Sequence, residues 1–233
     1  MNRVYIVRIM NITQTVAIVG REAFLRKTYS HLFFAILGLV GLEYLFFSTG
    51  FDRTALAIVQ KVNWLWILGA FMLVAWLATR TAHTAETKLG QYLALSAYVL
   101  AEALILLPML AIAYYSGHAQ SIENAAYITI IAFLALTAIV FMTKKDFSFL
   151  RTALMWGGIV ALLAIVAGGI FGFSLGHWFS MAMILLAGAA ILYDTSNVLH
   201  HYPQDKYVSA SLQLFASVAL MFWYVLQLLM SRD

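Results

Sequence analysis

The chain has no cysteine. Disulfides, thiolate metal sites and a cysteine nucleophile are therefore excluded, and the count says nothing about which compartment the loops face. Charge is also scarce: 10% of the 233 residues are Asp, Glu, Lys or Arg and 64% are apolar, whereas an ordinary soluble domain has about a quarter charged and about half apolar. A polar domain is missing too, since apolar runs recur from residue 32 to residue 230 without one between them. A water-soluble fold of this size has nowhere to hide so much apolar surface, so the chain reads as one integral membrane domain.

The first 28 residues lack the apolar core of a cleaved signal peptide. Their patches, Val4 to Met10 and Val16 to Val19, are short, and Arg8 interrupts the first. Residues 1–28 are expected to stay as a polar cytosolic tail, followed by a seven-helix membrane domain over residues 29–233. The net charge of +4 does not suggest nucleic acid, because the basic residues are scattered among short loops with no clustered stripe. The expected partner is the lipid bilayer.

A spanning helix needs about 20 mostly apolar residues. Seven segments qualify: His31 to Ser48, Val62 to Thr79, Gln91 to Tyr114, Asn124 to Met142, Thr152 to Gly172, His177 to Leu199, and Val208 to Met230. None shows the strict alternation of a barrel strand, and a helix satisfies its own backbone in lipid. The fold class is an all-α integral membrane protein. Of the 14 basic residues, eleven fall on one side: Arg3, Arg8, Arg21, Arg26, Lys27, Arg80, Lys88, Lys144, Lys145, Arg151 and Lys206. Arg53, Lys61 and Arg232 fall on the other. The amino terminus is thus expected in the cytosol, and seven crossings put the tail Ser231-Arg232-Asp233 on the opposite, periplasmic side. Trp64, Trp66 and Trp178, near the outer starts of spans two and six, fit an interfacial aromatic belt. Gly168, Gly172 and Gly176 form a small-xxx-small ladder expected to let helices approach closely.

Ionisable side chains at membrane depth cost about 2.5 to 3.5 kcal/mol at a helix centre. Three stand inside the spans: Glu43 in span one, Glu102 near the middle of span three, and Asp194 toward the cytosolic end of span six. No Lys or Arg lies inside a span to neutralise them. Each is therefore either protonated or set in a cavity that water or a cation enters. Glu43 and Glu102 read equally as hydrogen-bonded acids tying helices together or as members of an ion or proton path. Asp194 reads either as a partner of Thr195, Ser196 or a neighbouring helix, or as a gate or sensor carboxylate at the cytosolic mouth. Ser209, Gln213 and Ser217 in span seven are spaced by four and share one helix face. If spans six and seven form an antiparallel hairpin around HHYPQDK, this stripe meets Asp194.

No serine-hydrolase elbow, phosphate-binding glycine loop or His-Glu-x-x-His helix is present. His83, His118 and His177 lie in or beside different loops at no metal-ligand spacing. His200 and His201, in the loop after span six, offer a pH-dependent charge. Intramembrane hydrolysis by paired aspartates would need a second one beside Asp194. Neither an enzyme, a metal nor a cofactor is expected.

The stretch AGAAILYDTSNVLHH, residues 187–201, followed by a final span, resembles the Bax inhibitor-1 family of seven-helix membrane proteins, whose sixth span ends in a Tyr/Phe-Asp/Glu-Thr signature. LRKTYSHLF before span one, KKDFSFL at 144–150, YDTSNVLH at 193–200 and the terminal SRD are similar to the proteobacterial branch that includes a modulator of the protease FtsH. The resemblance implies a seven-helix protein of the bacterial inner membrane that binds FtsH and restrains its degradation of membrane substrates. The alternative it implies is a pH-sensitive leak pathway for calcium, another cation or protons. In leak-forming members the span-six acid pairs with a second aspartate in span seven. Asp194 carries over, but Ser217 stands at the second position, as expected in the modulator branch.

Overall fold

The structure, a computed structural model, describes residues 2–231, with side chains from Gly20 onward. The side chains of Arg3 and Arg8, and Arg232 and Asp233 of the terminal SRD, lie outside the described residues. Among the described residues eight helices follow one another: α1 (Asn2–Thr49), α2 (Phe51–Lys61), α3 (Trp64–Thr84), α4 (Lys88–Tyr115), α5 (Ala119–Thr143), α6 (Leu150–Phe171), α7 (Gly176–His200) and α8 (Tyr207–Met230). No strand occurs among the described residues. All but α2 are long and apolar enough to cross a membrane, with the first span covering Gly20–Thr49.

The helices begin and end where local chemistry allows. Asn63 caps α3 by accepting the Leu65 amide at 2.9 Å, and Thr87 caps α4 by accepting that of Gly90 at 3.2 Å. Val62 is extended and closes α2, so span two begins at Trp64, two residues later than the hydropathy suggests. The polar stretch Arg80 to Lys88 is mostly helical, and the α3–α4 connector shrinks to residues 85–87. Helices outrun the hydrocarbon because their backbones gain hydrogen bonds whether the side chains are apolar or not.

Residue 28 lies within the continuous helix α1, where Phe24 and Thr28 are buried against the bundle. One reading of the sequence is revised. Gly172 and Gly176 do not extend a packing ladder: both have left-handed backbones, with φ of 74° and 69°, and they turn the chain between α6 and α7. Close helix approach occurs instead at Gly157, where a Cβ would lie 2.6 Å from Leu186 of α7.

Helix α2 is an addition. Its 11 residues are too few to span a bilayer, and it rests on α1 and α4. Asp52 on its buried face accepts the Tyr115 hydroxyl at 2.6 Å, and Arg53 donates to the same hydroxyl at 3.4 Å.

Helix α8 is the axis of the bundle and packs against α1, α3, α4, α5 and α7. With α4 it is the most enclosed span, and Leu212, Leu214, Phe215 and Leu226 fill the interior around it. Helix α6 lies at the edge on α7. Outward faces carry exposed apolar residues such as Phe33, Phe34, Leu134 and Leu163, as lipid contact requires. Trp66 and Trp178 are 77% and 82% exposed, in keeping with interfacial positions, but Trp64 turns inward and stacks on Trp223 at 5.9 Å.

The turn reading predicts a contrast. Gly172→Ala should destabilise the protein by about 1–2 kcal/mol, the cost of a left-handed non-glycine residue. Gly158→Ala, inside α6 with open space around its Cβ, should be neutral or gain up to about 1 kcal/mol. Thermal unfolding in one detergent would compare them, and equal effects would contradict the reading.

Candidate functional site

Helices α7 and α8 are joined by residues 201–206 and pack along their length. This hairpin places Asp194, only 2% exposed, against the side of α8. The Ser217 hydroxyl donates to its Oδ2, and the Gln213 amide neighbours the same carboxylate. Thr195 and Ser196 are not its partners, although both are buried. Ser209 departs from the expected stripe. One helical turn nearer the loop its neighbour is α3, and its hydroxyl meets His83 Nδ1 at 3.0 Å.

A cavity of about 440 Å³ opens beside this contact, lined by Asp194, Gln213, His83, Arg151, His201 and Tyr202 among others. Among the described residues no ion pair reaches Asp194. Its polar neighbours on α8 are neutral, and the cavity's basic residues come from other elements. Tyr202, in the loop, stacks near His83 with ring centroids 5.8 Å apart. Burial, reinforced by the nearby Asp194, pushes its phenol above the ordinary range, so it stays a donor.

Three further contacts fix the end of α7. The guanidinium of Arg21 donates to the carbonyls of Val198 at 2.6 Å, Leu199 at 2.9 Å and Tyr202 at 2.7 Å. The last carbonyls of a helix lack intrahelical partners, so one planar fork from α1 satisfies a helix terminus of α7. Ser196 accepts the Phe147 amide at 2.9 Å and donates to Asp146 at 3.4 Å. Asp146 also lies 3.3 Å from His201. The Ser148 amide holds the Asp146 carboxyl below its ordinary range, with the Ser148 hydroxyl, His201 and His200 acting in the same direction. Finally, Lys206 donates to the Ala85 carbonyl at 2.6 Å, and Lys88 to that of Asp205, which ties the α7–α8 loop to the α3–α4 connector.

The other two acids lie elsewhere. Glu43 on α1 and Glu102 on α4 are 9% and 5% exposed and close enough to interact electrostatically. Both Glu43 oxygens are buried without a hydrogen-bond partner. Glu102 lines a second cavity that does not include Asp194.

Of the sequence-predicted residues, Asp194, Gln213 and Ser217 come together, Ser209 joins through His83 and Tyr202, and Glu43 and Glu102 form a separate pair. The sequence signals none of Arg21, His83, Asp146 and Arg151 as part of this site: Arg21 and Arg151 enter it only as topological charges, His83 only as a loop histidine without metal-ligand spacing, and Asp146 only within the KKDFSFL motif.

Residues 21–233 match the family described as Inhibitor of apoptosis-promoting Bax1. The chain belongs to the Bax inhibitor-1 family. It is 29% identical over 214 residues to the Golgi anti-apoptotic protein of Vaccinia virus (strain Lister), covering 90% of this chain and 85% of the viral one. It is 34% identical over 132 residues to the Modulator of FtsH protease YccA of Escherichia coli K12, covering 55% and 60%. Bax inhibitor 1 of Schizosaccharomyces pombe is 33% identical over 122 residues, covering 51% and 45%. With seven apolar helices, and with a relative named Inner membrane protein YccA in Escherichia coli O6:H1, it is a multi-pass protein of the bacterial inner membrane.

The α7 end generates three predictions. Ser217→Ala leaves a buried acceptor unpaired and should cost about 1–3 kcal/mol. Arg21→Ala should cost about 2 kcal/mol and Arg21→Lys less, because an ammonium cannot span three carbonyls with a planar fork; chemical unfolding would measure both. A depressed carboxyl stabilises above its unfolded pKa and ceases to as pH falls through the folded value. Hydrogen exchange of residues 144–149 should therefore be steady from neutral pH to about 5 and quicken, beyond its intrinsic pH dependence, below about 4, the ordinary aspartate value. Asp146→Asn should remove that change.

Proposed function

We propose that this Bax inhibitor-1 family protein is a regulator: it binds an FtsH-type ATP-dependent protease in the bacterial inner membrane and restrains its action on membrane substrates. The observation that carries the reading is the 34% identity to a protein named as a modulator of that protease. The basic end supports the orientation it needs. Arg21, Lys88, Arg151 and Lys206 gather where α7 ends, whereas Arg53 lies beside Tyr115 at the other end of α4. With the basic end in the cytosol, residues 1–28 form its cytosolic segment, and α1 offers the protease a helix anchored to the bundle through Arg21.

The test is co-purification with FtsH, combined with the lifetimes of its membrane substrates during overexpression of the full-length chain and of one lacking residues 2–19. Association, with longer lifetimes that shorten again without the segment, is expected. No association and unchanged lifetimes would overturn the proposal.

A second reading is a cation or proton leak gated by Asp194. It is favoured by a buried carboxylate, paired only with neutral groups, beside a 440 Å³ cavity. Calcium prefers several oxygen ligands, and one carboxylate with a hydroxyl and an amide supplies few. In proteoliposomes, flux of calcium or protons should drop severalfold in Asp194→Asn; equal flux in both proteins, or none in either, would count against a leak.

A further inference from the structure

The second cavity, of about 520 Å³, lies among α3, α4, α6, α7 and α8. Its size falls within the range of about 300–1,000 Å³ usual for small-molecule sites. Three aromatic pairs line it. Trp64 stacks on Trp223 with centroids 5.9 Å apart; Phe71 meets Tyr98 edge-on at 6.2 Å; Phe179 meets Tyr224 edge-on at 5.9 Å. Among these rings lies one carboxyl group, Glu102, and no lining residue is Lys, Arg or His. Glu43 on α1, with two buried oxygens that have no hydrogen-bond partner among the described residues, lies near Glu102.

We propose that this cavity binds a lipophilic organic cation, meaning a hydrophobic amine, quaternary ammonium or phosphonium, with its charge held by Glu102 and its apolar body among the six rings. Each part of the wall matches one part of such a ligand. Aromatic faces carry negative potential and attract a cation within about 6 Å of the ring centre. A carboxylate in an apolar enclosure has no other cationic partner here, and a bulky cation with weakly held hydration gives up water more readily than an inorganic ion. An anion would meet Glu102 unopposed. A small metal ion would find only Glu102, Gln227 and phenolic oxygens, fewer than a hard cation takes. An acyl chain would suit the rings but leave the carboxyl group unused. The site is separate from the Asp194 cavity and does not depend on the protease reading.

The test is equilibrium dialysis of radiolabelled tetraphenylphosphonium against the full chain in detergent, with neutral triphenylphosphine oxide as competitor. Saturable one-to-one binding is expected, weakened at least about tenfold by Glu102→Gln and by Trp223→Leu, unchanged by Gly158→Ala, and poorly displaced by the neutral competitor. Absence of saturable binding would overturn the proposal. So would full affinity in Glu102→Gln, or equal competition by the oxide, which would leave only an apolar cavity. If Glu102→Gln does not stay monodisperse, the charge requirement is decided by the competitor and the aromatic requirement by Trp223→Leu.

Discussion

A carboxyl group shut away from water must find its hydrogen bonds within the protein, and Asp194 finds one on Ser217, with Gln213 beside it, on the most central helix. That requirement sets the register of α7 against α8. A shift by one residue would rotate the hydroxyl away and leave the acid unpaired, at a cost comparable to a sizeable share of a protein's net stability. Because α8 touches five other spans, its register with α7 propagates to the positions of α1, α3, α4 and α5.

The last turn and a half of α7 also collects side chains from distant parts of the sequence. Arg21 from α1 holds Val198, Leu199 and Tyr202; the α5–α6 loop holds Ser196; and Lys206 and Lys88 tie the following loop to the connector before α4. Asp194 therefore lies one turn from a node at which the amino-terminal helix, two loops and α8 converge. The node physically links α1 to the bundle interior: displacing Arg21 frees carbonyls within a turn or two of Asp194, and those carbonyls then need new partners.

The three buried acids do not form one chain. Asp194 sits in a mixed polar cavity at the basic end, whereas Glu102 faces an aromatic cavity with Glu43 behind it. Any ion moving from one to the other has to cross the packed interior around α8, where Leu212, Phe215 and Ala219 are buried. The acids therefore stand at two separate places, Asp194 beside one cavity and Glu102 in the wall of the other.

The residues alone determined the membrane class, the number of spans and which acids lie at depth, because the bilayer imposes a length and a polarity that hydropathy reports directly. The four-residue spacing put Ser217 and Gln213 on one face of α8, since helical periodicity fixes a face whatever surrounds it. Only the tertiary structure decided that Ser209 turns to His83, that Arg21 closes the end of α7, that Asp146 reaches His201, and that Trp64 and Trp223 wall a cavity with Glu102. Each of those pairs joins residues far apart in the chain, and such contacts are set by how helices lean on one another, which one-dimensional periodicity does not encode. The turn at Gly172 and Gly176 is hidden in the sequence for a related reason: a four-residue spacing of small residues looks the same whether the backbone between them is helical or reverses direction.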